Sequence, residues 1–235
     1  MSVEREVIMY MKKILFLLFL TTAVSFGGSV LYSLDFTKQQ DGDAKDWLSA
    51  KGFELLLDAD EFSMNFSKAK LLISTSSDEA CIIGVRFQDG KYLNNIGSVK
   101  IEWGVDRFPK GADWASGNNR LAIGAMFLLG TEKISSGLPF GLNDAPYFLG
   151  PFIGEKEVVG KQYLGKLYKE GGRYHCISNK SAGTTVVTHF NIDQKFNQAF
   201  KKPTPPLTAF AFQMNTKNTS GGAQAFVKKI TFYSK

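Results

Sequence analysis

Leu207-Thr208-Ala209-Phe210-Ala211-Phe212-Gln213-Met214, followed beyond Gly221-Gly222 by Ala225-Phe226-Val227-Lys228-Lys229-Ile230-Thr231-Phe232-Tyr233, decides the fold class. Each run is short, rich in aromatic and β-branched residues, and bounded by turn residues, which reads as a strand rather than a helix. In the second run Ala225-Val227 and Ile230-Phe232 bracket a polar lysine pair. One extra residue between two alternating halves is the signature of a β-bulge.

The same grammar extends outward. Strands are expected at Val30–Phe36, Phe53–Leu57, Phe62–Phe66, Lys70–Ser74, Ala80–Phe87, Val99–Val105, Leu121–Leu129, Tyr174–Ser178 and Thr184–Phe190, as well as the two runs quoted above. Short strands at this spacing predict an all-β chain of two packed antiparallel sheets. Helical signal is confined to two places. Asn191 or Asp193 can cap a helix carrying Ile192, Phe196, Ala199 and Phe200 on one face, stopped by Pro203, Pro205 and Pro206. A single turn fits Asp43–Leu48, closed by Gly52. Ile134–Gly172, dense in Gly and Pro, is expected to be irregular.

Ahead of this body, Met11-Lys12-Lys13 leads into the apolar Ile14–Leu20 and then Thr21–Gly28. A basic start, a short apolar core and a small-residue exit predict a cleaved secretory signal peptide over residues 1–27. The core is too short for a membrane-spanning helix, which needs roughly 20 residues. Glu4 and Glu6 suit a signal poorly, so translation is expected to start near Met9 or Met11. The expected product is exported, periplasmic or secreted, and is one β-sandwich domain over residues 28–235 without stable membrane insertion.

Composition narrows the function classes. The chain is 44% apolar and 21% charged, enough for one sizeable core. Its net charge of +6 is spread over doublets such as Lys201-Lys202 rather than a stripe, which argues against nucleic-acid binding. Cys81 and Cys176 can form a disulfide in an oxidising compartment or remain as buried free thiols.

Leu34-Asp35-Phe36, Trp47, Phe53 and Leu71-Leu72-Ile73-Ser74 together resemble the first strands of carbohydrate-binding and galactose-binding-like jelly rolls. Val99–Pro109 with Trp103, Arg120–Gly130, Phe190-Asn191-Ile192-Asp193, Phe200, Ala209–Gly222 and Ala225–Phe232 resemble a bacterial family of secreted proteins of unknown function. The resemblance implies a jelly-roll-like sandwich and export, and no activity. The chain departs from the family pattern at two points. Trp103 stands alone where the family has a tryptophan pair, and Asn215-Thr216-Lys217-Asn218-Thr219 replaces an aspartate-rich run. Any cation role of those aspartates is therefore put in question by Asn215 and Lys217.

No G-x-S-x-G, H-E-x-x-H, P-loop or Cys-x-x-Cys pattern is present, so no catalytic residue, metal or cofactor is expected. Trp103 alternates with Ile101 and Val105 and reads as core. Trp114 lies in a polar stretch with Asp113, Asn118, Asn119 and Arg120. It reads either as a plate for sugar rings or as a plug folded back on the sandwich. A hairpin through Asn179–Gly183 would set His175 opposite His189. The candidate ligand contacts are thus Trp114, Asn118, Arg120, Tyr174, His175 and His189. The first expectation is a non-catalytic binding module for a polysaccharide or cell-envelope glycan. A structural or interaction protein of the envelope comes second. A polysaccharide lyase using Tyr174, His175, His189 and Arg120 comes third.

Overall fold

A computed structural model of the protein describes residues 28–137 and 144–235. The expected signal peptide and translation start lie outside the described residues, as does part of the segment expected to be irregular. The described chain forms strands β1 (Val30–Asp35), β2 (Gly42–Asp43), β3 (Phe53–Leu57), β4 (Ser63–Phe66), β5 (Leu71–Thr75), β6 (Ala80–Arg86) and β7 (Ile96–Arg107). It continues with β8 (Leu121–Ile134), β9 (Ala145–Ile153), β10 (Gln162–Tyr163), β11 (Gly172–Ser178), β12 (Val186–Asn191), β13 (Leu207–Asn215) and β14 (Ala223–Ser234). Two α-helices, α1 (Lys45–Ala50) and α2 (Ile192–Phe200), and two short 3-10 turns, Phe36–Lys38 and Ala59–Glu61, complete it. No helix among the described residues is long and apolar enough to cross a membrane.

The strands form two seven-stranded sheets. One, sheet A, runs β12-β7-β14-β5-β4-β2, with β1 also paired to β14; the other, sheet B, runs β10-β11-β9-β8-β13-β6-β3. All pairings are antiparallel except β11 with β9, which is parallel. The sandwich core is filled from both sides by alternating side chains. Val99, Ile101 and Trp103 from β7 and Val227, Ile230 and Phe232 from β14 meet Phe127 of β8 and Phe210 and Phe212 of β13. Trp103 is fully buried, and its indole Nε1 donates to Thr188 Oγ1 at 2.9 Å. The lysine pair in β14 does sit at a bulge, where the register against β7 shifts between Val227 and Lys229.

Both helices form close to where they are expected, α1 two residues further on, at Lys45–Ala50, and without a side-chain cap. Asn191 Oδ1 accepts from Gln194 N at 2.8 Å at the start of α2, and Gly52, at φ +81°, turns the chain out of α1.

Three expectations change. Ile134–Gly172 is not irregular throughout, because Ala145–Ile153 is the nine-residue strand β9, placed between β8 and β11. Gly150 and Pro151 mask it in the sequence, since prolines are normally kept out of interior strands. Secondly, β11 and β12 are not a hairpin; the chain leaves sheet B after Ser178 and joins sheet A at Val186, where β12 pairs with β7. Thirdly, Cys81 and Cys176 are both free and buried. They sit on β6 and β11, with β13, β8 and β9 between, so roughly 19 Å of sheet separates them. Cys81 also packs in the sandwich core, whereas Cys176 packs in the cluster on the other face of the sheet. That is far beyond the reach of a disulfide.

Candidate functional site: the outer face of sheet B

Sheet B is apolar on both faces. Phe210, Phe212 and Met214 of β13 point into the core, so Ala209, Ala211 and Gln213 point outward. Cross-strand pairing carries this outward set across the sheet in rows. One row reads Leu56, Ile82, Gln213, Gly124, Phe152 and Cys176. A parallel row reads Arg86, Ala209, Leu128, Phe148 and Gly172. Between them Ala211 faces Gly84 on one side and Met126 on the other. Small residues along the middle make a floor, and larger side chains rise at both ends.

Concavities follow this geometry. A cavity of about 220 Å³ takes Trp114, Arg120, Lys166, Tyr168, Tyr174 and Gln213 among its walls. It shares Ile82 and Met126 with a second depression over Gly84, Ala209 and Ala211. That depression shares Arg86, Leu128 and Ala209 with a third, which reaches Asp89 and Tyr92. The three form one trough across the strands.

The aromatic end of the trough is built by loops folded over the sheet. Trp114 lies in the β7–β8 connection and is 6% exposed, stacked on Phe152 at 4.8 Å between centroids and tilted against Tyr174 at 4.7 Å. Its Nε1 donates to the Arg120 carbonyl at 3.0 Å, and its backbone N–H donates to Glu157 Oε1 at 3.1 Å. Glu157, from the β9–β10 connection, is itself buried, and its Oε2 accepts from the backbone of Glu155 and Lys156. One carboxylate thereby ties two loops together. The Tyr174 ring lies over Gly150, where an added Cβ would come within 2.7 Å of it. Burial pushes the Tyr174 phenol up to about 12, while a hydrogen bond with Gln213 opposes the shift.

Trp114, Arg120 and Tyr174 therefore meet at one wall. Asn118 is set behind it, donating to the carbonyls of Gly111 at 2.8 Å and Asn218 at 3.3 Å, and so bracing two loops. Arg120 adds a bond to the Lys217 carbonyl. The Lys217 ammonium lies 2.9 Å from Asp58 and 3.8 Å from Glu79, so the protein's own cation sits between those carboxylates. His175 and His189 are not part of this wall. His175 projects from the inward face of β11 against Phe190, while His189 lies on the exposed side of β12. Among the described residues no group of three or more His, Cys, Asp or Glu could hold a metal ion.

Sequence reading missed Gln213, Met126, Phe152 and Glu157. Outward-facing Gln213 in an otherwise apolar run was the available signal. Glu157 gave none, since a lone glutamate in a loop reads as solvated.

No family model matches the chain, and no curated protein matches it. Several solved structures are similar to it. A family 29 carbohydrate-binding module from Piromyces equi shares 9% identity over 87% of this chain and 91% of that one, at TM-score 0.39. The carbohydrate recognition domain of Emp46p in its metal-free form shares 8% over 88% and 97%, at 0.46. A family 12 xyloglucanase from Bacillus licheniformis shares 9% over 87% and 99%, at 0.42.

Proposed function

We propose that the protein is a non-catalytic binding module for a polysaccharide or cell-envelope glycan, gripping the chain along the trough on sheet B. The observation that carries this reading is the trough's composition. Gly84, Ala209 and Ala211 leave a shallow floor, and Tyr174, Trp114 and Tyr168 stand at one end with Gln213, Arg120 and Lys166 beside them. Sugar rings present flat apolar faces edged by hydroxyls, so they need this pairing of aromatic surface with hydrogen-bonding groups. The lyase reading asks Tyr174, His175, His189 and Arg120 to converge on one bond. Tyr174 and Arg120 line the trough, whereas the two histidines line a cavity elsewhere.

Export to the periplasm or the medium belongs to the same proposal and rests on the Met11–Gly27 pattern. N-terminal sequencing of exported protein checks it; a mature chain beginning near Ser2 overturns it. The glycan reading is tested by affinity electrophoresis and pull-down on neutral and uronate-containing polysaccharides. Met126→Arg fills the trough without entering the core and should abolish retention. Equal retention of the two proteins would remove the trough from the binding site. A second reading, an envelope interaction protein, draws on the exposed Leu56 and Leu57 beside the trough and on Val158, Val159 and Leu164. It predicts a stoichiometric protein partner and indifference to sugars.

A further inference from the structure

The open edge of the sandwich holds a second cavity, separate from the trough. Between Tyr174 and Cys176, which face outward, His175 turns inward. It is only 4% exposed, and its Nε2 has no hydrogen-bond partner among the described residues. Buried ring nitrogens are normally paired, so an orphan of this kind calls for an explanation. Its ring packs against Phe190 at 5.4 Å. The cavity it lines measures about 430 Å³ and is also walled by Thr188, His189, Asn191, Gln194 and Lys195.

Four features give this cavity one electrostatic sign. Among the described residues no Asp or Glu lines it, and Lys195 does. The N-terminus of the nine-residue α2 borders it through Asn191, Gln194 and Lys195, placing the positive end of the helix dipole there. Thr188 Oγ1 accepts the Trp103 indole proton, so its own hydroxyl proton is free to be donated. Burial together with the nearby Lys195 and Arg173 pushes the His175 imidazole down to about 4. Among the described residues, the other elements around His175 bring no negative charge. Pro151 of β9 and Gln162 of β10 lie opposite it, and β12 contributes His189 and Phe190. Asp193, in the first turn of α2, is engaged by Lys235 at 2.7 Å and Thr204 at 2.7 Å and does not line the cavity.

We propose that this cavity binds the carboxylate of a small organic acid, with the His175 Nε2, the Thr188 hydroxyl and the Lys195 ammonium as its partners. One ammonium and one imidazole match a single negative charge. A metal would lack a third ligand, and a neutral sugar would leave the cationic wall unanswered.

The test is long-range ¹H–¹⁵N NMR of the histidine rings of the full chain at pH 6, titrated separately with acetate, D-glucuronate and D-glucose. Acetate and glucuronate should each move the His175 nitrogen signals saturably and raise the pH at which that ring titrates by about one pH unit. Tighter binding of glucuronate than of acetate would assign the site to uronic acids; equal binding would assign it to carboxylates in general. Lys195→Gln, a half-buried helix position that leaves the core intact, should weaken binding about tenfold. His175→Phe should abolish it. Met126→Arg should leave it unchanged, so failure of the trough reading and failure of this one remain distinguishable. The proposal is overturned if glucose shifts the same signals as strongly, if neither carboxylate shifts them, or if Lys195→Gln binds as the native chain does.

Discussion

The outer faces of the two sheets differ in kind. On sheet A the outward side chains are mostly polar and paired with one another, apart from Phe226, which lies under the Lys70 and Lys228 ammoniums, and the exposed Val187. Lys100 meets Glu102 at 2.9 Å, Lys70 meets Asp106 at 3.1 Å, Ser33 meets Thr231 at 2.9 Å, and Lys229 approaches Asp35 at 3.7 Å. On sheet B the corresponding positions are Ile82, Met126, Leu128, Phe148 and Phe152, with loops folded down over one end. A sandwich needs only its inner faces to hold it together. The apolar outer face of sheet B is therefore surplus to the core, and the aromatic cluster under Trp114 is a second, smaller core built on it.

Substitutions can break that contrast. Trp114→Ala removes the plate stacked on Phe152 and Tyr174 and should cost about 3–5 kcal/mol in urea unfolding. The matching change on sheet A, Lys100→Ala, should fall within about 0.5 kcal/mol, because its ion pair is half open to solvent. Equal losses would mean that the cluster is not a core.

A smaller effect is expected of pH, and it separates the faces of β11 itself. Tyr174 is held neutral in the fold up to about 12 against an ordinary value of 10.0, because burial disfavours the phenolate. Its contribution is full below pH 10 and is lost as pH rises through 12. His175 is displaced to about 4 from 6.5, again chiefly by burial. Its contribution is full above pH 6.5 and fades as pH falls towards 4. Stability measured by thermal melts should therefore show an alkaline limb that is shallower in Tyr174→Phe and an acid limb that is shallower in His175→Phe. If each variant flattened the other's limb, the assignment of these neighbours to opposite faces would be wrong.

The same contrast explains what was legible in the sequence. Strands with one wet face, such as β12 with Val186, Thr188 and Phe190 inward and Val187, His189 and Asn191 outward, announce themselves by alternation. Strands wrapped on both faces do not. From Phe148 to Ile153 every residue of β9 is buried, and a glycine and a proline interrupt the run. With β9 hidden, the partner of β11 is hidden too, and the sequence pattern sets β11 against β12 and His175 against His189. The trough was equally hidden. Its floor consists of glycines and alanines whose meaning lies in their neighbours on other strands, and a single strand cannot display that. Trp114 was legible as an unusual loop aromatic, but not its choice between plate and plug. The structure buries all but 6% of it on Phe152 and Tyr174, and what remains lines the wall together with Tyr174 and Tyr168.

The position of β14 carries a consequence for how the molecule is assembled. As the last strand of the described chain it pairs with β1, β5 and β7. Sheet A thus has no middle until Ala223–Ser234 is in place. During synthesis, when N-terminal segments are available first, β1, β5 and β7 can find one another only through a partner not yet made. Contacts joining residue 30 to residue 233 are among the slowest kind to close. The nascent chain is thus committed to waiting: the native sandwich can form only once β14 has been made, and a ribosome-bound form still lacking β14, or one clipped before it, would present an open, unzipped sheet to whatever machinery meets it first.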